Sequence, residues 1–152
     1  MPMPWTYRHA EKEWRAILDD LKEHMGLESD NMAYTALDGV LQVFRRRLTA
    51  QQGLDFASVL PCVVRAVFVA GWQVEETPPP FGPRAELVRE AQAVRRHHNL
   101  TPGNAIEVVA RAIRPHVNPA DFARVLQRLP EGAAAFWEVP GVPEADLRPR
   151  IY

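Results

Sequence analysis

The sequence predicts an all-α fold: a duplicated helical bundle in which two pseudo-symmetric four-helix units pack together. Three observations predict it. Apolar residues recur at helical spacing, no segment sustains an alternation of β-branched residues, and the second half repeats the first across a proline-rich break. At an offset of 69 residues, Leu37, Leu41 and Phe44 meet Ile106, Ala110 and Ile113. At the same offset Leu60-Pro61 meets Leu129-Pro130, and Val67-Phe68 meets Phe136-Trp137. At an offset of 73, Trp14, Leu18, Leu21 and Met25 meet Leu87, Ala91, Val94 and His98. The matched pairs are core-type residues, so what repeats is packing. The predicted organisation is a first repeat over 8–74, a linker over 75–82, a second repeat over 83–138 and an irregular tail over 139–152.

Each element has a local reason. Trp14, Ile17, Leu18, Leu21 and Met25 form one face of a helix over 8–25, which Gly26 ends. Asp30 or Asn31 is placed to cap a second helix with the stripe Leu37, Val40, Leu41, Phe44 and Leu48. Thr49 and Gln52 have the spacing of a capping box, opening a third helix with Leu54, Ala57 and Leu60 turned inward. Pro61 suits the first turn of a short fourth helix through Cys62, Val63, Ala66, Val67 and Ala70. Gly71 ends it, and Trp72 folds back onto the core.

Pro78-Pro79-Pro80 and Gly82 cannot continue a helix and predict a stiff, extended connection. The second set then begins at Pro83, with Leu87, Ala91 and Val94 on a helix ending near Asn99. Thr101 with Pro102, and Asn118 with Pro119, have the pattern of cap and first helical position. Pro130 opens a last short helix ending near Trp137. Pro140, Gly141, Pro143 and Pro149 make the tail irregular, draped over the body.

The residues also carry a family resemblance. The run Arg-Arg-Leu-Thr-Ala-Gln-Gln at 46–52, then Leu60-Pro61, then Gly71-Trp72, resembles the bacterial family known as domain of unknown function 2267. The resemblance covers roughly 11–137 and implies a duplicated, all-helical domain with no established activity. The chain departs from the family's pattern at Phe68-Val69-Ala70, where tyrosine-rich residues are usual. Its second copy has Val139-Pro140 near the place of Gly71-Trp72.

Composition narrows the class. The chain has 152 residues, 47% hydrophobic and 24% charged, which suits one globular domain or two small halves sharing a core. Its longest apolar run, 59–72, is interrupted by Arg65 and is too short for the roughly 20 residues of a membrane span. One cysteine, Cys62, and an N-terminus without a secretory pattern point to a cytoplasmic protein. The net charge of −1 is unevenly spread, with an acidic stretch over 11–38 and an arginine-rich one over 84–128.

Candidate sites follow from residue type. Arg45, Arg46 and Arg47, with Arg95 and Arg96, could hold phosphates if they share a face, a role joined by Arg111, Arg114, Arg124 and Arg128. Arginine in a last helical turn equally complements the helix dipole. His24 and His97 are repeat counterparts that could meet near the pseudo-axis and, with Glu23, Glu28 or Glu107, bind a metal. Histidines at helix ends are otherwise dipole partners. Cys62 lies where a helix N-terminus lowers a thiol pKa, but no base is identifiable beside it. Trp14, Trp72 and Trp137 are in phase with packing, which leaves Trp5 exposed. No catalytic residues and no cofactor are expected. The leading functional expectation is a non-catalytic protein-interaction or regulatory module, binding a protein partner or itself. Nucleic-acid binding by the arginine face and a metal or small-molecule site between the repeats are the alternatives.

Overall fold

The structure, a computed structural model, describes residues 3–94 and 101–148. Among them are nine α-helices and no strand: α1 (Trp5–Arg8), α2 (Ala10–Met25), α3 (Asp30–Arg45), α4 (Ala50–Ala57), α5 (Cys62–Val69), α6 (Arg84–Ala93), α7 (Ala105–Ile113), α8 (Pro119–Gln127) and α9 (Ala133–Phe136). Two 3-10 turns, Arg114–His116 and Glu144–Leu147, follow α7 and close the tail. No helix among the described residues is long and apolar enough to cross a membrane.

Several boundaries arise as the sequence predicts. Gly26 stops α2 at φ +66°, and its N–H reaches the Lys22 carbonyl. The Thr49 hydroxyl accepts from the Gln52 N–H while the Gln52 side chain accepts from the Thr49 N–H, at 3.2 and 2.9 Å. The Asn118 side chain accepts from the Asp121 N–H, with Pro119 first in α8.

Other boundaries differ, each for a physical reason. Ser29, not Asp30 or Asn31, caps α3, accepting from the N–H groups of Asn31 and Met32. Asp30 is drawn instead to Arg15 and Lys22. Thr101-Pro102 does not open α7. Helix starts only at Ala105, because Thr101 is buried and its carbonyl accepts from the Gln92 side chain. The inner face of α4 runs through Gly53, Phe56 and Ala57, which leaves Leu54, one residue out of phase, 58% exposed. On α5 the buried pair is Val64 and Phe68, one turn apart, while Ala66 and Ala70 face solvent.

The halves share one core. Helix α3 packs on α2 and α5 of its own half and on α6 and α7 of the other, α2 packs on α7, and α4 on α8. At the centre Phe44 meets Phe56, Phe81, Phe136 and Trp137 with ring centroids 4.6–5.5 Å apart. The connection over 71–83 has no helix, yet Phe81 within it packs on that cluster. Gly132, at φ +95°, lies under Phe81, whose Cβ is 2.6 Å from where an alanine methyl would stand. Gly132→Ala therefore combines a strained backbone with a clash and should cost about 2 kcal/mol of stability. Urea denaturation checks this through a lower midpoint at unchanged slope.

Candidate functional site

The largest cavity described is an open groove of about 960 Å³ on the first half, walled by α1, α2, the start of α3, and α5. Its floor is apolar. Trp14 and Leu18 project from α2, and Val63 and Val67 from α5, each pair one helical turn apart, with Tyr34 from α3 beside them. The rim is polar, with Arg8, Lys12 and Arg15 along one side and Glu11 and Asp30 also present. Arg15 binds Asp30 through two hydrogen bonds of 2.8 and 2.6 Å, and Lys22 adds a third contact at 2.8 Å. These partners hold the Asp30 carboxyl well below the usual aspartate range, Arg15 first and then Lys22. That cluster ties α2 to α3 and sets the width of the groove. Arg8 has no ion-pair partner among the described residues.

At the other end, α1 is a single turn with no buried residue, and Trp5 and Tyr7 on it are 58% and 51% exposed. It is held by stacking of Trp5 on His9 at 4.5 Å and by the Cys62 thiol donating to the Thr6 carbonyl at 3.6 Å. Beside it sits Glu13, which sequence reasoning missed. One of its carboxylate oxygens is buried without a hydrogen-bond partner, and the other lies 4.0 Å from Nδ1 of buried His116. Burial raises the Glu13 carboxyl above its ordinary value, opposed by the backbone N–H of Cys62. The pair joins α2 to the turn after α7, two segments about a hundred residues apart, so no spacing could have announced it.

A second, smaller groove of about 440 Å³ lies between α6 and α7. At the 73-residue offset Lys12 and Arg15 correspond to Ala85 and Val88, which line that groove. The apolar partners Trp14/Leu87 and Leu18/Ala91 are core-directed in both. The smaller groove carries Arg84 and Glu107 as its charged residues, and apolar side chains stand at the positions aligned with Lys12 and Arg15.

The expected arginine site is arranged differently. Arg45 is buried and donates to the carbonyls of Phe68 and Ala70, both at 2.9 Å, closing the end of α5. Arg47 is buried and donates to the Val43 carbonyl and, through two bonds, to Glu90 on α6. Arg46 alone is half exposed, shared between Glu75 and Glu90. The three neighbouring arginines are therefore spent on partners within the chain, Arg46 and Arg47 sharing Glu90, and the buried Arg45 and Arg47 cannot meet a phosphate. Arg65 and Arg84 act likewise on the carbonyl ends of α4 and α9. Arg95, Arg96 and His97 lie outside the described residues. His24, half-buried at the end of α2, lines a cavity of about 440 Å³ with Asp20, Arg111 and Arg148. Among the described residues no three His, Cys, Asp or Glu side chains are grouped to hold a metal ion.

The profile of an uncharacterized conserved protein family, DUF2267, matches residues 14–136 of the chain, from the second turn of α2 to the last residue of α9. The chain belongs to the DUF2267 family. The match confirms the resemblance carried by 46–52, Leu60-Pro61 and Gly71-Trp72. It takes in the groove floor of this DUF2267 protein and stops short of Arg8, Glu11 and Lys12 on the rim. No curated protein matches the chain.

Proposed function

We propose that this DUF2267 protein is a non-catalytic interaction module, built from two copies of one four-helix unit, that binds a protein partner in the groove of the first copy. The groove itself carries the reading: an apolar floor of Trp14, Leu18, Val63 and Val67 under a charged rim is the composition of a recognition surface. The contrast with the smaller groove supports it, because the positions aligned with Lys12 and Arg15 there are the apolar Ala85 and Val88. Duplication is supported by the helix order, since four helices, α2 to α5, precede the proline-rich connection and four, α6 to α9, follow it. It is supported also by the contacts: exchanging the copies turns the α3–α6 contact into the α7–α2 contact. A single thiol, half-buried at Cys62, favours a reducing cytoplasm. Nucleic-acid binding is the weaker reading, since Arg45 and Arg47 are buried and paired.

The test is site-specific photocrosslinking in living cells, with a photoreactive residue at Val63 in the groove and, separately, at Arg124 on α8. Discrete heavier adducts from Val63 and none from Arg124 are the expected result. Identical adducts at both positions, or none at Val63, would remove the groove as the binding face.

A further inference from the structure

Resting on the groove as the binding face, we infer that the partner bound there is a second molecule of the same chain, joined to the first about a two-fold axis. Shape is the first observation behind this. The face has a recess and a protrusion side by side. The recess is the groove floor of Trp14, Leu18, Val63 and Val67. The protrusion is α1, a single turn that buries none of its residues and exposes Trp5 and Tyr7. A turn so short gains little from its own hydrogen bonds, so burial against a neighbour would steady it. A small cavity of about 50 Å³ beside Trp5 shares His9 and Lys12 with the groove, which sets the exposed ring at the groove's edge. A knob and a hollow on one face close a symmetric pair, whereas on opposite faces they would build an open chain.

The second observation is charge. Of the rim residues, Lys12, Arg15 and Asp30 are engaged within the chain. Arg8 and Glu11 also line the groove, both exposed, and neither has an ion-pair partner among the described residues. One free charge of each sign is what a two-fold contact uses, since Arg8 of each molecule then meets Glu11 of the other. A net charge of −1 adds little repulsion between two such molecules. The third observation is register. Helices α1 and α2 meet at His9. In an antiparallel pairing about that joint, the register that sets Arg8 on Glu11 also sets Trp5 on Trp14, because both pairs are centred on the same point of the chain. Trp14 belongs to the groove floor and is only partly covered by its own chain. The charge pairing and the seating of the ring thus call for one and the same arrangement.

The experiment is sedimentation equilibrium of the full chain over a range of concentrations, with the variants Trp5→Ala, Arg8→Glu and Glu11→Arg, all at exposed positions outside the core. The native chain should pass from one chain mass to two as concentration rises. Each single variant should dimerise about tenfold more weakly. An equimolar mixture of the Arg8→Glu and Glu11→Arg chains should recover the native dimer, because opposite charges again face each other at both contacts. That recovery also shows both variants to be folded. A native chain that stays monomeric, a dimer that none of the variants weakens, or single variants that mixing does not rescue would each overturn the self-pairing. The groove is judged separately by the crosslinks from Val63. Adducts there to a different protein, with the chain monomeric, overturn the self-pairing and leave the groove standing, whereas no adducts at Val63 remove both.

Discussion

Replacing Phe44 with alanine should remove about 3–5 kcal/mol of stability, a large share of what a domain of this size has. Phe44 is fully buried and its ring meets four other aromatic rings, two from the first half and its connection and two from α9 and its end. The cavity left behind cannot close from one side, because Phe56 and Trp137 are themselves wedged against Phe68 and Phe122. Since both halves lean on the same ring, the loss should lower one cooperative transition rather than melt one half first. Urea unfolding followed separately by far-ultraviolet circular dichroism and tryptophan fluorescence checks this. Coincident curves with a lower midpoint are expected, and two separated transitions would mean that the halves hold independent cores.

The second large effect is expected at Glu90. This residue of α6 holds buried Arg47 of α3 through two hydrogen bonds of 3.0 and 2.6 Å, and also takes a bond from Arg46. Glu90→Ala leaves the Arg47 guanidinium buried with the Val43 carbonyl as its remaining hydrogen-bond partner, at a cost of about 3 kcal/mol. The pH dependence has a definite sign. Burial alone would raise the Glu90 carboxyl, but hydrogen bonds from Arg47 and then Arg46 outweigh it and hold it below the ordinary value of 4.5. A carboxyl lowered in the folded state contributes stability that is present above its unfolded pKa and lost as pH falls through its folded pKa. Thermal melts of the native chain should therefore decline on acidification below pH 4.5, and the variant should show a shallower decline over that range. A variant as stable as the native chain at pH 7 would mean that Arg47 finds solvent.

How much of this was legible depends on whether the cause was local. The cap at Thr49 and Gln52, the stop at Gly26 and the start at Asn118-Pro119 act within four residues, and each is where its pattern places it. The long helices were legible because their stripes fix the phase over several turns. The short ones were not: eight residues of α4 or α5 contain too few turns to tell Leu54 from Phe56, or Ala66 from Val64, as the inner position. The arginines misled for a different reason. Arg45 spends its charge on carbonyls 23 and 25 residues away and Arg47 on a carboxylate 43 residues away, so the run 45–47 has the look of a surface cluster in sequence alone. Of the 18 basic residues 16 are arginine. That bias is the one available signal, since a planar fork of donors can close a helix end where a lysine cannot. The groove has no linear signature at all, because α5 comes to it from some fifty residues beyond α1.

Phe81 changes what the proline-rich connection is. A slack tether of this length could be lengthened cheaply, since doubling a flexible loop costs only about 0.6 kcal/mol. Trp72 at its start lies against Phe68, and near its end the connection is hooked by the Phe81 ring, set between Phe44 and Phe136 with the Arg47 guanidinium 5.9 Å over its face. The chain on either side of that hook therefore behaves as two short spans of unequal freedom. Extra residues before the three prolines, upstream of the hook, fall on the slack span and add only loop entropy. The short span from Phe81 to α6 has no such slack, and an insertion there would turn α6 out of register with α3 and part Glu90 from Arg47.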